Sequence, residues 1–213
     1  MRISAVIPTL NAGDGLVECL AALRDADEII VADGGSTDAT LAMAGAATII
    51  RSERGRGVQL AKGAAAARGD ALLFVHADTR LSAGWRMLAD RHLAASHRPA
   101  CFRLKLDDPA WQARVIERAV WLRTRLGLPY GDQGLLVMRD AYDAAGGFRA
   151  LVLMEDVDLL RRLAKPVLLD GDALTSADRW RRDGWARRSL RNLACLSLWK
   201  LGVSPARIAK IYA

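Results

Sequence analysis

Glu28-Ile29-Ile30-Val31-Ala32-Asp33-Gly34-Gly35-Ser36-Thr37-Asp38 decides the fold. Residues 28–32 are a short run of nearly continuous apolar character, the pattern of a strand buried on both faces. The run breaks at a carboxylate and two glycines and passes into hydroxyl residues placed to cap a helix over 37–44. The same unit recurs on either side. Residues 3–7 form an apolar run ended by Pro8-Thr9-Leu10-Asn11, 48–50 a weaker one ended by Arg51, and 71–75 another ended by His76-Ala77-Asp78-Thr79. Helical patterns over 15–24 and 58–68 complete the alternation. It predicts an α/β fold with a mostly parallel central sheet flanked by helices and joined by right-handed crossovers. Further on, the pattern predicts helices over 111–126, 139–145 and 155–163, strands over 135–138 and 167–170, and a helical tail from Arg179.

A chain of 213 residues, 52% hydrophobic, is long enough to bury a substantial core in one domain. Cys19, Cys101 and Cys195 are far apart and form no Cys-X-X-Cys pair, so neither a zinc knuckle nor a disulfide framework is indicated, and a reducing cytoplasm fits best. The opening apolar run is too short for a signal peptide, and no stretch reaches the ~18 apolar residues of a membrane span. The net charge of +7 is uneven: residues 161–213 hold 12 Lys/Arg against 4 Asp/Glu, and the rest is nearly balanced. Arguments about anionic partners therefore belong to the tail.

Parallel sheets bind ligands beyond the carboxyl ends of their strands. Asp33 there either closes a capped turn or accepts an N–H from a nucleobase. Asp78 either caps a following segment or holds a hard cation, which takes one or two carboxylates plus substrate phosphates. His76 is either a satisfied, half-buried side chain or a further ligand. Arg51-Ser52-Glu53-Arg54-Gly55-Arg56-Gly57 offers forked cations and free N–H groups before a helix, the parts that phosphate binding needs, or else a solvated basic loop. Glu155-Asp156-Val157-Asp158 suits a helix N-terminus, with Asp158 able to pair with Arg161 or Arg162. Emerging from Leu151-Val152-Leu153-Met154, the same cluster could also hold a base, because an apolar surround raises a carboxyl pKa.

Taken in order, these pieces resemble the family-2 glycosyltransferases of the GT-A fold, a Rossmann-like nucleotide-diphospho-sugar transferase architecture. The matching pieces are residues 7–11, 31–38, the Asp-X-Asp-like His76-Ala77-Asp78, Gly146-Gly147-Phe148 and Glu155-Asp156. Residues 54–60, 76–79, Gly131-Asp132-Gln133-Gly134 and Gly202-Val203-Ser204-Pro205 are similar to the bacterial subgroup called radical-SAM/selenodomain-associated transferase 2. The resemblance implies a UDP- or GDP-linked sugar donor, Mg²⁺ or Mn²⁺, and inverting transfer to an acceptor hydroxyl. Pro8, Thr9, Asn11 and Asp33 would meet the nucleoside, and Arg51, Arg54 or Arg56 the base or diphosphate. Gln59 and Ala77 join the substrate-binding set, and Gly131, Asp132 and Gln133 lie near the sugar or acceptor. Asp78, with His76, would hold the metal; Asp156 would be the base, with Glu155 orienting the site. The departure is His76, which stands where the family's first acid would be. The implied organisation is a single domain over 1–213, with a nucleotide-binding half over 1–80, an acceptor half over 81–170 and a basic tail over 171–213.

The tail segment Arg179-Trp180-Arg181-Arg182-Asp183-Gly184-Trp185-Ala186-Arg187-Arg188 interleaves arginine with tryptophan, and Leu190, Leu193, Ala194, Leu198 and Leu201 share one helical face. It either packs on the sheet with its arginines near the donor phosphates or lies on the inner face of the cell membrane beside a lipid-linked acceptor. Two rival classes are a nucleotidyltransferase of similar sheet and a non-catalytic binding module. The first normally needs a Lys-bearing loop after strand one, which Asn11-Ala12-Gly13-Asp14-Gly15 lacks; the second would use the basic tail on nucleic acid. Nucleic acid is not an expected partner.

Overall fold

The structure, a computed structural model, describes residues 1–125 and 131–212. Four parallel strands form its N-terminal half: β1 (Ile3–Thr9), β2 (Glu28–Asp33), β3 (Thr48–Arg51) and β4 (Ala71–Phe74). Their helices are α1 (Asp14–Ala22), the single turn α2 (Thr40–Met43) and α3 (Arg56–Ala66). Then follow β5 (Thr79–Leu81), α4 (Trp85–Ala95), β6 (Ala100–Leu106), α5 (Trp111–Arg125), a 3₁₀ turn (Gly131–Gln133), β7 (Leu135–Met138), α6 (Arg139–Ala144), α7 (Glu155–Arg162) and β8 (Val167–Thr175). The tail forms α8 (Asp178–Asp183), α9 (Trp185–Lys200) and α10 (Pro205–Tyr212).

All eight strands join one sheet in the order β3-β2-β1-β4-β7-β6-β8-β5. Four of its seven pairings are parallel; β7 runs against β4 and β6, and β5 against β8. One apolar cluster, around Ile3, Leu16, Leu73, Trp85, Phe102 and Leu136, packs on one face. A second, around Val6, Leu60, Phe74, Tyr142 and Phe148, fills the other. Helix α3 lies so close to β1 that a Cβ on Gly63 would sit 2.4 Å from Val6 Cγ1.

Three sequence expectations need correction. The helix expected over 37–44 shrinks to Thr40–Met43, because Ser36 is spent on Asp33 and Asn11 and it is Asp38 Oδ1 that accepts the Thr40 N–H. Strands β5 and β6 and helix α4 were not expected. The Ala-Cys-Phe-Arg-Leu-Lys-Leu run of β6 alternates at its end, as a strand with one partly open face does. Strand β8 continues five residues past Asp170, and the last residue of the helix expected over 111–126, Leu126, lies outside the described residues.

Candidate active site

The parallel strands all end at one edge, and the loops leaving that edge build the site. Asp33 terminates β2 opposite Thr9 on β1. Its Oδ1 accepts from the Thr9 hydroxyl at 3.1 Å and from the Ser36 hydroxyl, and its Oδ2 from the Gly35 and Ser36 N–H groups at 2.9 Å each. Burial pushes this carboxyl up, but the four donors outweigh it and hold the pKa below the ordinary value. Asn11, in a left-handed conformation (φ 51°), receives the Thr37 N–H on its side-chain oxygen at 2.9 Å. The loops after β1 and β2 are thereby locked together.

Gln59 has a structural place. It is buried, and its amide donates to the carbonyls of Thr9 (2.6 Å) and Ala32 (2.9 Å), stapling β1 to β2. Gly34 lies directly against it, where a Cβ would be 3.0 Å from the amide carbon. Gln133 likewise does not face the cleft expected for sugar or acceptor. It is fully buried, donating to Phe102 O at 3.0 Å and accepting from Thr124 Oγ1 at 3.0 Å.

Asp78 and Asp132 meet for a topological reason. Strand β7 is antiparallel to β4, with Leu135 opposite Phe74, so the turn entering β7 lies beside the loop leaving β4. Hydroxyls fasten the two: Thr175 Oγ1 bonds Thr79 Oγ1 at 2.9 Å and Asp132 O at 3.3 Å, and Ser176 N–H donates to Asp78 O at 3.1 Å. Helix α7 brings in Asp156 from the other side. Its first residue, Glu155, is 1% exposed and ion-pairs with Arg56 at the start of α3. Gly57 permits that approach, since a Cβ there would lie 2.3 Å from Arg149 O. Met154, just before Glu155, is held at φ 64°; it and Asn11 are the non-glycine residues with positive φ among those described, and both line the cleft.

Arg56, His76, Asp78, Asp132, Asp156 and Arg179 thus surround one cleft. It continues past Ala77 to Pro8 and Asn11 on one side and to Trp180, Arg188 and Cys195 of the tail on the other. Burial, helped by the Arg56 charge and opposed by Asp78 and Asp156, lowers the His76 pKa to about 4, so the imidazole is neutral near pH 7. Burial raises Asp132, with Asp156 and Asp78 adding to it and Arg123 opposing. Burial also raises Glu155, against the pull of Arg56. Asp78 Oδ1, Asp132 Oδ1 and Glu155 Oε2 are buried without a hydrogen-bond partner. Unsatisfied anionic oxygens are costly and point to a missing cationic or donor group. Among the described residues no three His, Cys, Asp or Glu side chains close around one point. The donor set therefore fits Mg²⁺ or Mn²⁺ held by one or two carboxylates with the remainder from phosphate.

Arg51 and Arg54 are exposed at the end of β3 and in the loop after it, away from the cleft lining. Gly131 sits in the 3₁₀ turn beside Asp132. Asp158 pairs with Arg162 at 2.6 Å and Arg149 at 3.3 Å. The tail closes the cleft rather than standing apart from it: Arg179 is 3.7 Å from Asp78, Trp180 stacks on Trp185, and Asp183 gathers Arg182, Arg188 and Arg191. Sequence reasoning did not single out Thr175, Ser176 or Trp180, and had Arg179 only among the tail arginines that could lie near the donor phosphates. A signal was present for Thr175 and Ser176, polar residues at the end of β8 and directly after it; Arg179 and Trp180 lie inside α8 and carry none.

The model of Glycosyl transferase family 2 matches residues 4–103, somewhat under half of the chain. No curated protein matches the chain by sequence. Among solved structures, Staphylococcus aureus TarS 1-349 in complex with UDP-GlcNAc aligns with a TM-score of 0.65 at 16% identity, over 99% of this chain and 70% of that one. Mannosyltransferase PcManGT from Pyrobaculum calidifontis, in complex with GDP-Man and Mn²⁺, gives 0.68 at 18% identity, over 90% and 61%. Glucosyl-3-phosphoglycerate synthase from Mycobacterium tuberculosis, with Mn²⁺, UDP and glucosyl-3-phosphoglycerate, gives 0.58 at 20% identity, over 95% and 80%.

Proposed function

We propose that this chain is a family-2 glycosyltransferase that moves a sugar from a UDP- or GDP-linked donor to an acceptor hydroxyl with inversion at the anomeric carbon. The observation that carries the reading is the cleft itself: Asp78, Asp132 and Asp156 converge there with Arg56, His76 and Arg179, beyond the carboxyl ends of β1 and β4. Residues 1–80 hold the donor and 81–170 the acceptor, in one domain that the tail completes. The nucleoside lies along Pro8, Thr9 and Asn11, and Asp33 shapes that wall; a base N–H reaching Asp33 would have to replace one of its four donors. Arg56, Ala77 and Arg179 border the diphosphate, and the exposed Arg51 and Arg54 meet it or the base by moving inward.

Asp78 holds the divalent cation, with neutral His76 beside it. Bound there, the cation supplies charge neutralisation for the departing diphosphate. Asp156 takes the proton from the acceptor hydroxyl as that oxygen attacks the anomeric carbon. Glu155, fixed by Arg56, holds the start of α7 in place. Asp156→Asn is expected to cut transfer by about 10²–10⁴-fold while leaving donor affinity unchanged. Native transfer by this variant would refute the assignment.

One observation favours a lipid-linked acceptor and peripheral contact with the inner membrane face. Leu190, Leu193 and Leu201 of the tail are 62–80% exposed on a helical face that also carries Arg187, and no helix of the described residues is long and apolar enough to cross a membrane. The chain is expected to co-sediment with anionic vesicles, and Leu190→Glu/Leu193→Glu/Leu201→Glu to remain in solution. Failure of the unaltered chain to sediment removes the membrane reading and leaves the transferase reading intact.

A further inference from the structure

We propose that Asp132 supplies, with Asp78, the second oxygen ligand of the divalent cation; the inference rests on the transferase reading above and assigns a residue to its metal. A hard cation selects oxygen over nitrogen, so Asp78 needs an oxygen partner more than it needs the His76 imidazole. Asp132 is that partner by position. The antiparallel start of β7 lies against the end of β4, and the Thr79–Thr175–Asp132 chain of hydroxyl and carbonyl contacts fixes the turn beside Asp78.

The two side chains share an unusual state. Asp78 Oδ1 and Asp132 Oδ1 are both buried in the wall of one cleft, and neither has a hydrogen-bond partner. A lone structural carboxylate in such a place would be capped by N–H groups, as Asp33 is by four donors one loop away. Asp132 also cannot move off the site cheaply. The next residue, Gln133, is fully buried and bonded to Phe102 O and Thr124 Oγ1, so the turn that presents Asp132 is anchored from behind. An anchored turn that holds a carboxylate with one unpartnered oxygen next to Asp78, whose Oδ1 is likewise unpartnered while Oδ2 lies 3.7 Å from Arg179, is a preorganised ligand pair. Nucleoside diphosphate oxygens and water complete the coordination shell, which is why no three-residue cage is needed.

The test is Mn²⁺ affinity, read by electron paramagnetic resonance of the free ion, with UDP or GDP present at saturation. Asp132→Asn is expected to weaken Mn²⁺ binding about tenfold or more while nucleotide affinity in metal-free buffer stays unchanged, and His76→Asn to weaken it less. Native Mn²⁺ affinity in Asp132→Asn, or a larger loss in His76→Asn, overturns the inference. If Asp78→Asn alone abolishes binding, the inference fails and the transferase reading stands; if the unaltered chain binds neither nucleotide, both fail. Should Asp132→Asn not fold, anomalous scattering from Mn²⁺ in crystals of the unaltered chain with UDP or GDP decides. An ion in contact with Asp132 supports the assignment, and an ion touching Asp78 alone overturns it.

Discussion

The loop after β2 and the loop after β4 leave the same sheet edge, yet they treat their carboxylates in opposite ways. Asp33 is saturated, with two backbone N–H groups and two hydroxyls around it, and Gln59 behind it is equally committed to main-chain carbonyls. Asp78, and Asp132 facing the same cleft, each leave a buried oxygen unpaired. The first loop supplies its acid's partners from within the fold, and the second leaves an oxygen of its acid unfilled. Both would look alike as an acid after a strand; what separates them is whether the fold has already supplied the acid's partners.

The comparison can be broken by substitutions that should separate stability from function. The largest effect is expected at Gly63→Val, where added methyl groups meet Val6 at the α3–β1 contact. Overpacking there should cost about 3 kcal/mol and lower the melting temperature by roughly 6–12 °C; a variant as stable as the parent would show that the contact is loose. Gln59→Ala comes next. It strips the donors from Thr9 O and Ala32 O and should cost about 1–3 kcal/mol by chemical denaturation.

Asp78→Asn should change stability by less than about 0.5 kcal/mol, since its nearest cation, Arg179, is 3.7 Å away and one oxygen has no partner to lose. A loss as large as that of Gln59→Ala would erase the distinction between the two loops. The smallest effect is confined to the tail. Arg182 first, with Arg191 and Arg188, holds the Asp183 pKa at about 2 against an ordinary 3.8, despite the opposing effect of burial. A depressed acid stabilises the fold above its unfolded pKa, and that contribution disappears as pH falls from about 4 towards 2. Tryptophan fluorescence of the Trp180–Trp185 stack should report the loosening over that window. Asp183→Asn should remove the pH dependence; an unchanged profile would mean that the cluster does not hold the tail.

How much was legible follows the same division. Strands β1 to β4 could be read because each is a short apolar run closed by turn residues, and local pattern suffices for that. Helices α1 and α3 were legible for the same reason. Strand β6 and helix α4 were not, because Arg and Lys interrupt the first and the second starts after Gly84 with no side-chain cap to mark it. The cleft acids Asp78 and Asp156 were legible as acids at element ends, and Asp132 only through the resemblance. The burial of Gln133 and the fully bonded state of Asp33 were not, since both depend on partners brought from distant residues such as Phe102 and Thr9. The tail's place beside the cleft was one of two readings of its arginines; that Arg179 would face Asp78 was not legible, since nothing near it in sequence announces that partner.

On the reading proposed above, these loops grip a sugar linked to a nucleoside diphosphate through a divalent cation. A thermal-shift comparison of UDP, GDP and their sugars, with and without Mn²⁺, tests it most directly. A ligand at a hundred times its dissociation constant should add about 2.7 kcal/mol to the folded state. One nucleotide series should raise the melting temperature with Mn²⁺, much less without it, and not at all in Asp78→Asn. No shift with any of these ligands in the presence of Mn²⁺, or an equal shift in Asp78→Asn, would contradict the account.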